Sequence, residues 1–217
     1  MKKMLGFLLS LALSLLIITS AVKFTVNFKQ LYYFDIGYLN ISMLSDMSKE
    51  DIKLNYDYLI DYNTSNKEMD FKLPTLESSP QGKVHFEEVR DIFQNINIIN
   101  KITLILVIIG AYICFKYKNI YVLKYSAWTL ITLPILISIP IIINFEKSFE
   151  LFHKLFFDND YWIFDPTIDP VINMLPSEFF LHAGIMILGI IFAISILMLF
   201  IYKKMLKNSL CSCRQRP

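Results

Sequence analysis

AGIMILGIIFAISILMLFIY, residues 183–202, runs for twenty residues without an Asp, Glu, Lys, Arg or His. As a helix it is about 30 Å long, the thickness of a bilayer's hydrocarbon core. Lys203 and Lys204 follow at once, as expected where a span meets the lipid headgroups. Working outward, residues 4–22 and 126–144 are equally free of ionisable side chains. Residues 102–115 form a shorter run of the same kind. It reaches spanning length by extending back through Asn97-Ile98-Ile99-Asn100, with Lys101 snorkelling to the interface.

Charge orients these spans. Residues 1–3, 116–125 and 203–217 together hold ten Lys or Arg and no acid, and all 19 Asp and Glu lie in the two intervening segments. Basic flanks stay cytoplasmic, so both termini are expected inside, and residues 23–100 and 145–180 outside. The net charge of +2 conceals this split. The expected fold is mainly α: a polytopic membrane protein with four transmembrane helices and a small extracytoplasmic cap of helices and extended segments. Its parts are a first span at 1–23, the cap at 24–98, a second span at 99–116, a cytoplasmic loop at 117–125 and a third span at 126–144. An interfacial aromatic helix and loop at 145–178, a fourth span at 179–202 and a basic cytoplasmic tail at 203–217 complete it. Richness in Ile, Lys and Asn suggests an AT-rich bacterial gene, and hence a bacterial plasma membrane.

The first run also begins as a signal peptide would, basic and then apolar. Its apolar stretch is longer than a signal core, and Thr19-Ser20-Ala21 is a mediocre cleavage site. An uncleaved span is the reading adopted. Cys114 lies in a span, and Cys211 and Cys213 lie in the tail, so no disulfide is expected outside. The Cys-Ser-Cys pair lacks a nearby His and reads as part of an unstructured basic tail rather than a metal site.

Within the outer segments, FTVNFKQLYYFDIGYLNIS at 24–42 is aromatic and β-branched and reads as extended or strand-like. Ser48 followed by Lys49-Glu50-Asp51 reads as a helix start, with Ile52, Tyr56, Leu59 and Ile60 at helical spacing to about residue 62. Residues 63–83 read as a loop, and a second helix is expected from about residue 85 into the second span. His85, Val89, Ile92 and Ile96 line one face of it.

The later outer segment is more unusual. Residues 145–180 hold ten aromatic residues in 36, against 15% for the whole chain, a density suited to headgroup depth. Phe145, Phe149, Phe152 and Phe156 form a stripe, with His153 at its flank. Such a helix lies in the interface with its aromatic face down. Asp165-Pro166 and Asp169-Pro170 then break helix.

Several chemistries are excluded. There is no Gly-rich phosphate loop, no HExxH and no G-x-S-x-G elbow. No outer cysteine can act as nucleophile. The spans lack the ionisable residues that ion and proton pathways use. What remains outside is three histidines, His85, His153 and His182. Imidazole titrates nearest physiological pH and is the usual general base or acid. Two at one depth could take a proton from a nucleophile and return it to a leaving group. Taken singly, each is more simply a packing residue. Their spacing does not make a zinc set, so no metal and no cofactor are expected. His182, at the head of the fourth span, reads as an interfacial cap.

FHKLFFDNDYW at 152–162, continuing to LPSEFF at 175–180, and HFEEVR at 85–90 together resemble the lipoprotein intramolecular transacylase family of Gram-positive bacteria. The resemblance covers nearly the whole chain; Glu88 and Arg90 are conservative departures from the Asp and Lys usual in the family. It implies an acyltransferase acting on diacylglyceryl-modified bacterial lipoproteins among membrane lipids, without nucleic acid. The acyl chain would move from the glyceryl sn-2 ester to the α-amine of the N-terminal cysteine, giving a lyso-form lipoprotein. By position, His85 and His153 would be the catalytic pair. Phe149, Phe152, Phe156 and Trp162 are expected to wall a chamber around the substrate. Arg90 is a candidate to hold an oxyanion, and Asp165 a candidate to orient an imidazole. The rival readings are a non-enzymatic membrane protein whose cap binds a lipoprotein or envelope partner, and a different interfacial lipid hydrolase or acyltransferase.

Overall fold

A computed structural model describes residues 2–117 and 119–214. Its helices are α1 (Lys2–Asn27), α2 (Lys29–Tyr38), α3 (Ile41–Ser45), α4 (Lys49–Thr64), α5 (Pro80–Tyr117), α6 (Tyr121–Ile143), α7 (Phe145–Phe156) and α8 (Ser177–Arg214), with a 3₁₀ turn at Pro170–Met174. No strand occurs among the described residues. Four of the helices, α1, α5, α6 and α8, are long and apolar enough to cross a membrane. The chain divides into two compact units, one of residues 1–22, 98–138 and 186–217, the other of residues 23–97 and 139–185.

The first unit buries several serines beside an apolar cluster of Ala21, Ala127, Leu130, Ile191 and Met198, and it is apolar on its surface. Ile108, Phe115, Ile196 and Phe200 are each more than half exposed, whereas Ser10, Ser14, Ser126 and Ser195 are buried. The Ser126 hydroxyl donates to the Ser10 carbonyl at 3.0 Å, and the Ser10 hydroxyl donates to the Gly6 carbonyl at 2.8 Å. A Cβ on Gly110 would lie 2.1 Å from a terminal methyl of Leu9, so α5 and α1 approach closely there and a larger residue would require Leu9 to shift. Small residues at contacts and apolar side chains facing outward are what helices packed in lipid require. α6 runs unbroken through Pro134 and Pro140.

The second unit has an aromatic core drawn from both outer segments. Tyr32 of α2 stacks on Tyr56 of α4 at 3.7 Å, and Phe179 of α8 meets both edge-on. The Tyr32 hydroxyl donates to the Met174 carbonyl at 2.6 Å. Tyr62, Phe71, Phe86, Val171 and Met174 extend the same cluster. Neither outer segment could build this core alone.

Two expectations are corrected. Residues 24–42 are helical, not strand-like. Tyr32, Asp35 and Ile36 are the buried residues of α2, a spacing of three and four, so helical periodicity outweighs the β-propensity of the residue types. The tail is not unstructured: α8 continues to Arg214, because no Gly or Pro interrupts the run from Lys203. The thiols of Cys211 and Cys213, and with them the question of a metal there, lie outside the described residues. α5 also begins five residues earlier than expected, at Pro80.

Candidate active site

α5 is 38 residues long, about 57 Å at 1.5 Å per residue and nearly twice the hydrocarbon thickness. His85 stands 17 residues before Ile102, where the apolar run begins, and so lies outside the spanning part. The first turn of α5 is fixed by Asp169. Its buried carboxylate accepts from the Ser79 N–H and the Ser79 hydroxyl, both at 2.7 Å. The Ser79 oxygen in turn accepts from the Gly82 N–H at 2.9 Å. Proline at the first helical position lacks an N–H that would have had no helical partner.

One turn further on, His85 is only 5% exposed. Its ring centroid lies 4.7 Å from Phe157 and 5.4 Å from Phe164, with Phe86 at 5.6 Å. Its Nδ1 is buried without a hydrogen-bond partner among the described residues. Burial among these rings, with the neighbouring His153 as a lesser cause, pushes the His85 pKa down to about 4.

His153 comes from α7. Asn144 caps that helix, its side chain accepting from the Lys147 N–H at 2.8 Å, and Glu146 sits in the first turn. The Nδ1 of His153 lies 2.8 Å from the Phe149 carbonyl. A carbonyl can only accept, so Nδ1 carries the proton and Nε2 presents its lone pair. Burial lowers the pKa of His153 too, opposed by this hydrogen bond. Both imidazoles are therefore neutral near pH 7.

Their centroids are 6.1 Å apart. Phe157, 6% exposed, packs against both, at 4.7 Å from His85 and 5.6 Å from His153. Trp162 stacks on His153 at 4.8 Å and is held by its Nε1–H, which donates to the Asn159 carbonyl at 3.1 Å. Phe149 lies 4.4 Å from His153 and Phe152 lies 5.6 Å from it. Phe156 touches Phe152 at 4.6 Å, and both are about half exposed. Two neutral bases thus share an aromatic enclosure that is open along one face of α7.

Two candidates from the sequence do other work. Both Nη atoms of Arg90 donate to loop carbonyls, those of Met69 and Lys67, and the guanidinium stacks over Tyr62. It ties the 65–79 loop to α5 and is not set to hold an oxyanion. The Asp165 carboxylate accepts from the Thr167 N–H and hydroxyl, at 2.9 and 2.7 Å. It closes a turn, and no hydrogen bond between it and an imidazole occurs among the described residues.

Other residues escape the sequence reading. Phe157 and Phe164 complete the enclosure. The Asn159 amide donates to Glu88 Oε1 at 2.6 Å. His182, expected only to cap the interface, has a partner: its Nδ1 lies 2.9 Å from Oδ1 of Asp35, which is fully buried. The signal for that pair was a lone acid in the aromatic run 24–42, since a buried carboxylate requires a partner. No group of three or more His, Cys, Asp or Glu able to hold a metal occurs among the described residues.

Comparison with known proteins agrees with this architecture. The family model described as "Lipoprotein intramolecular transacylase Lit" matches residues 7–180. The membrane-integral lipoprotein intramolecular transacylase Lit of Bacillus cereus, solved in meso, superposes with a TM-score of 0.93 at 42% identity, over 96% of this chain and 97% of that one. Its H85R variant gives a TM-score of 0.87 at 42% identity, over 97% and 94%. Its H85A variant gives 0.87 at 41% identity, over 96% and 95%. A comparison with curated proteins finds no match. With most of its length matched by the family model, four helices apolar enough to span a bilayer and a membrane-integral counterpart over nearly its whole length, this chain is a multi-pass membrane protein that belongs to the lipoprotein intramolecular transacylase family.

Proposed function

We propose that the chain moves an acyl group from the sn-2 ester of a diacylglyceryl-modified lipoprotein to the α-amine of the same N-terminal cysteine. The observation that carries the reading is the pair of neutral, partly desolvated imidazoles in an aromatic enclosure. It supplies acid–base groups set among apolar rings. The substrate brings the nucleophile. Its α-ammonium, with a pKa of about 8, loses one proton to solvent and attacks the ester carbonyl as the free amine. The new C–N bond forms, the C–O bond to glycerol breaks, and the amine's remaining excess proton passes to the departing glyceryl oxygen. No acyl carrier or nucleotide is consumed.

His153 is assigned as the base, because its hydrogen bond to Phe149 leaves Nε2 free to accept a proton. His85 is assigned to the carbonyl oxygen. A buried neutral imidazole can donate a hydrogen bond to developing negative charge without first having to be charged itself. Phe149, Phe152, Phe156 and Trp162 would line the space for the lipid headgroup, joined by Phe157 and Phe164. Holding amine and ester in register can contribute about 7–11 kcal/mol of barrier reduction. Keeping water out protects the ester from hydrolysis.

The site would face the extracytoplasmic side of a bacterial plasma membrane, with both termini cytoplasmic. Diacylglyceryl lipoproteins and membrane lipids would be its partners. The parts would be as the hydropathy divides them: spans at 1–23, 99–116, 126–144 and 179–202, a cap at 24–98, and the aromatic segment at 145–178.

Mass spectrometry of the N-terminal peptide of a diacylglyceryl lipoprotein tests the reading. With the full chain present, the mass should stay constant while fragmentation places one acyl chain on the amine. His153→Ala and His85→Ala should each slow this by about 100-fold or more, with the proteins still membrane-inserted. Loss of one acyl mass would mean hydrolysis instead. Full rate in either variant would remove the two-histidine mechanism.

A further inference from the structure

One acidic group at the edge of this enclosure has no assigned role. Glu88 stands three residues after His85, one turn along the same face of α5. Its Oε1 accepts from the Asn159 amide at 2.6 Å. Its Oε2 is buried and finds no hydrogen-bond partner among the described residues. Asn159 is also the residue whose carbonyl holds Trp162 against His153. The carboxylate is thus linked to His85 by one turn of helix and to His153 through three contacts, by way of Asn159 and Trp162.

A buried carboxylate oxygen without a donor is costly unless a ligand supplies one. The substrate of the proposed reaction brings a suitable donor. Its α-amine arrives mostly as an ammonium at neutral pH, with three N–H groups. The other lining residues named above are rings, which would accommodate acyl and glyceryl groups and offer an ammonium their π faces but no formal negative charge.

We propose that Glu88 is the ammonium-binding residue of the site, with Oε2 receiving the α-amine of the lipidated cysteine and selecting substrates whose N-terminus is free. This rests on the transacylase reading and adds a specificity element to it. One N–H stays on the carboxylate while another faces a histidine, so the nitrogen is held with a proton aimed at its acceptor. The same contact would exclude lipoproteins whose amine is already acylated, which carry no charge there. The product is such a molecule, so its release would be favoured by the reaction itself.

The probes are two synthetic S-dialkylglyceryl-cysteine peptides, with ethers in place of esters so that nothing can be transferred. One has a free α-amine and the other is N-acetylated. Equilibrium binding to the purified full chain is measured for each. The wild-type protein should bind the free amine about tenfold more tightly, the scale of one charge-assisted hydrogen bond. Glu88→Gln can still accept from Asn159 and should bind both peptides alike. Asn159→Ala should weaken both while keeping the preference. Equal binding by the wild type, or a preference that survives in Glu88→Gln, would overturn the Glu88 assignment and leave the transfer reaction to be judged on ester substrates. Binding of neither probe, with no transfer on the ester, would overturn both readings.

Discussion

His85 shows what burial does to a single titratable side chain. In an unfolded chain its imidazole titrates near 6.5, whereas in the folded protein it is pushed down to about 4. Between those values the unfolded chain binds the extra proton and the folded one does not. Stability therefore rises with pH across that window. It is fully present above about 6.5 and is lost as pH falls toward 4, by about 3 kcal/mol at the limit. Phe in place of His85 keeps a ring among rings and has no proton to take up. The thermal midpoint of the wild type in detergent should fall between pH 6.5 and 4.5, and that of His85→Phe should fall less; equal slopes would mean that carboxylates elsewhere set the acid sensitivity. Activity should respond to a different residue. The rate should already fall below about pH 8 as the substrate's amine becomes protonated, and should fall more steeply once pH passes down through the pKa of His153, which lies below the ordinary 6.5, because His153 acts as base only when neutral. Both histidines can be singled out from the sequence, because they are titratable groups outside the apolar runs. Their partners cannot. Phe157 and Phe164 look like any others among ten aromatics, and Glu88 meets Asn159 across 71 residues. Arg90 and Asp165 attract site roles on charge alone; Asp165 is claimed by Thr167 two residues on, whereas the partners of Arg90 are loop carbonyls 21 and 23 residues back, which the sequence does not reveal.

At the scale of the element, the start of α5 determines where His85 points, and Asp169 determines that start. The same carboxylate explains Gly82. A Cβ there would lie 2.5 Å from Asp169 Oδ1, which is already held by the Ser79 N–H at 2.7 Å. Gly82→Ala must therefore push Asp169 off the helix N-terminus. Asp169→Ala removes the clamp directly and should cost about 3 kcal/mol, the loss of two hydrogen bonds to a charged acceptor. If both substitutions act through this one contact, the double variant should be little less stable than Asp169→Ala alone. Additive losses in thermal unfolding would show that Gly82 matters for another reason. Helix starts of the local kind are legible in the sequence: Ser48 caps α4, its hydroxyl accepting from the Asp51 N–H at 3.0 Å. The clamp on α5 is not, because its acceptor is 90 residues from Ser79. The strand-like reading of 24–42 fails for a related reason: the partners that bury Tyr32 are Tyr56 and Phe179, far along the chain, and Ile36 belongs to the same cluster.

At the scale of the whole molecule, legibility comes from the solvent. In hydrocarbon every backbone polar group must be satisfied within its own segment, which leaves helices and long uninterrupted apolar runs. Those runs can be counted in the sequence, and the four helices found here fall on them. The asymmetry of charge is the other global signal. Ten basic residues and no acid in residues 1–3, 116–125 and 203–217 predict that these parts share the cytoplasmic face. Residues 66 and 207 report on opposite sides of that assignment, and both Asn66→Cys and Lys207→Cys place a thiol at an exposed position. In a cysteine-free background, a membrane-impermeant maleimide should label Asn66→Cys in intact protoplasts and Lys207→Cys only after permeabilisation. The reverse pattern would put the histidine pair on the cytoplasmic side, where a lipoprotein already carried across the membrane could not reach it. That result would remove the proposed substrate even if the acid–base geometry stood. Labelling of both positions in intact protoplasts would put them on one side, which an odd number of crossings by α5, α6 and α8 does not allow.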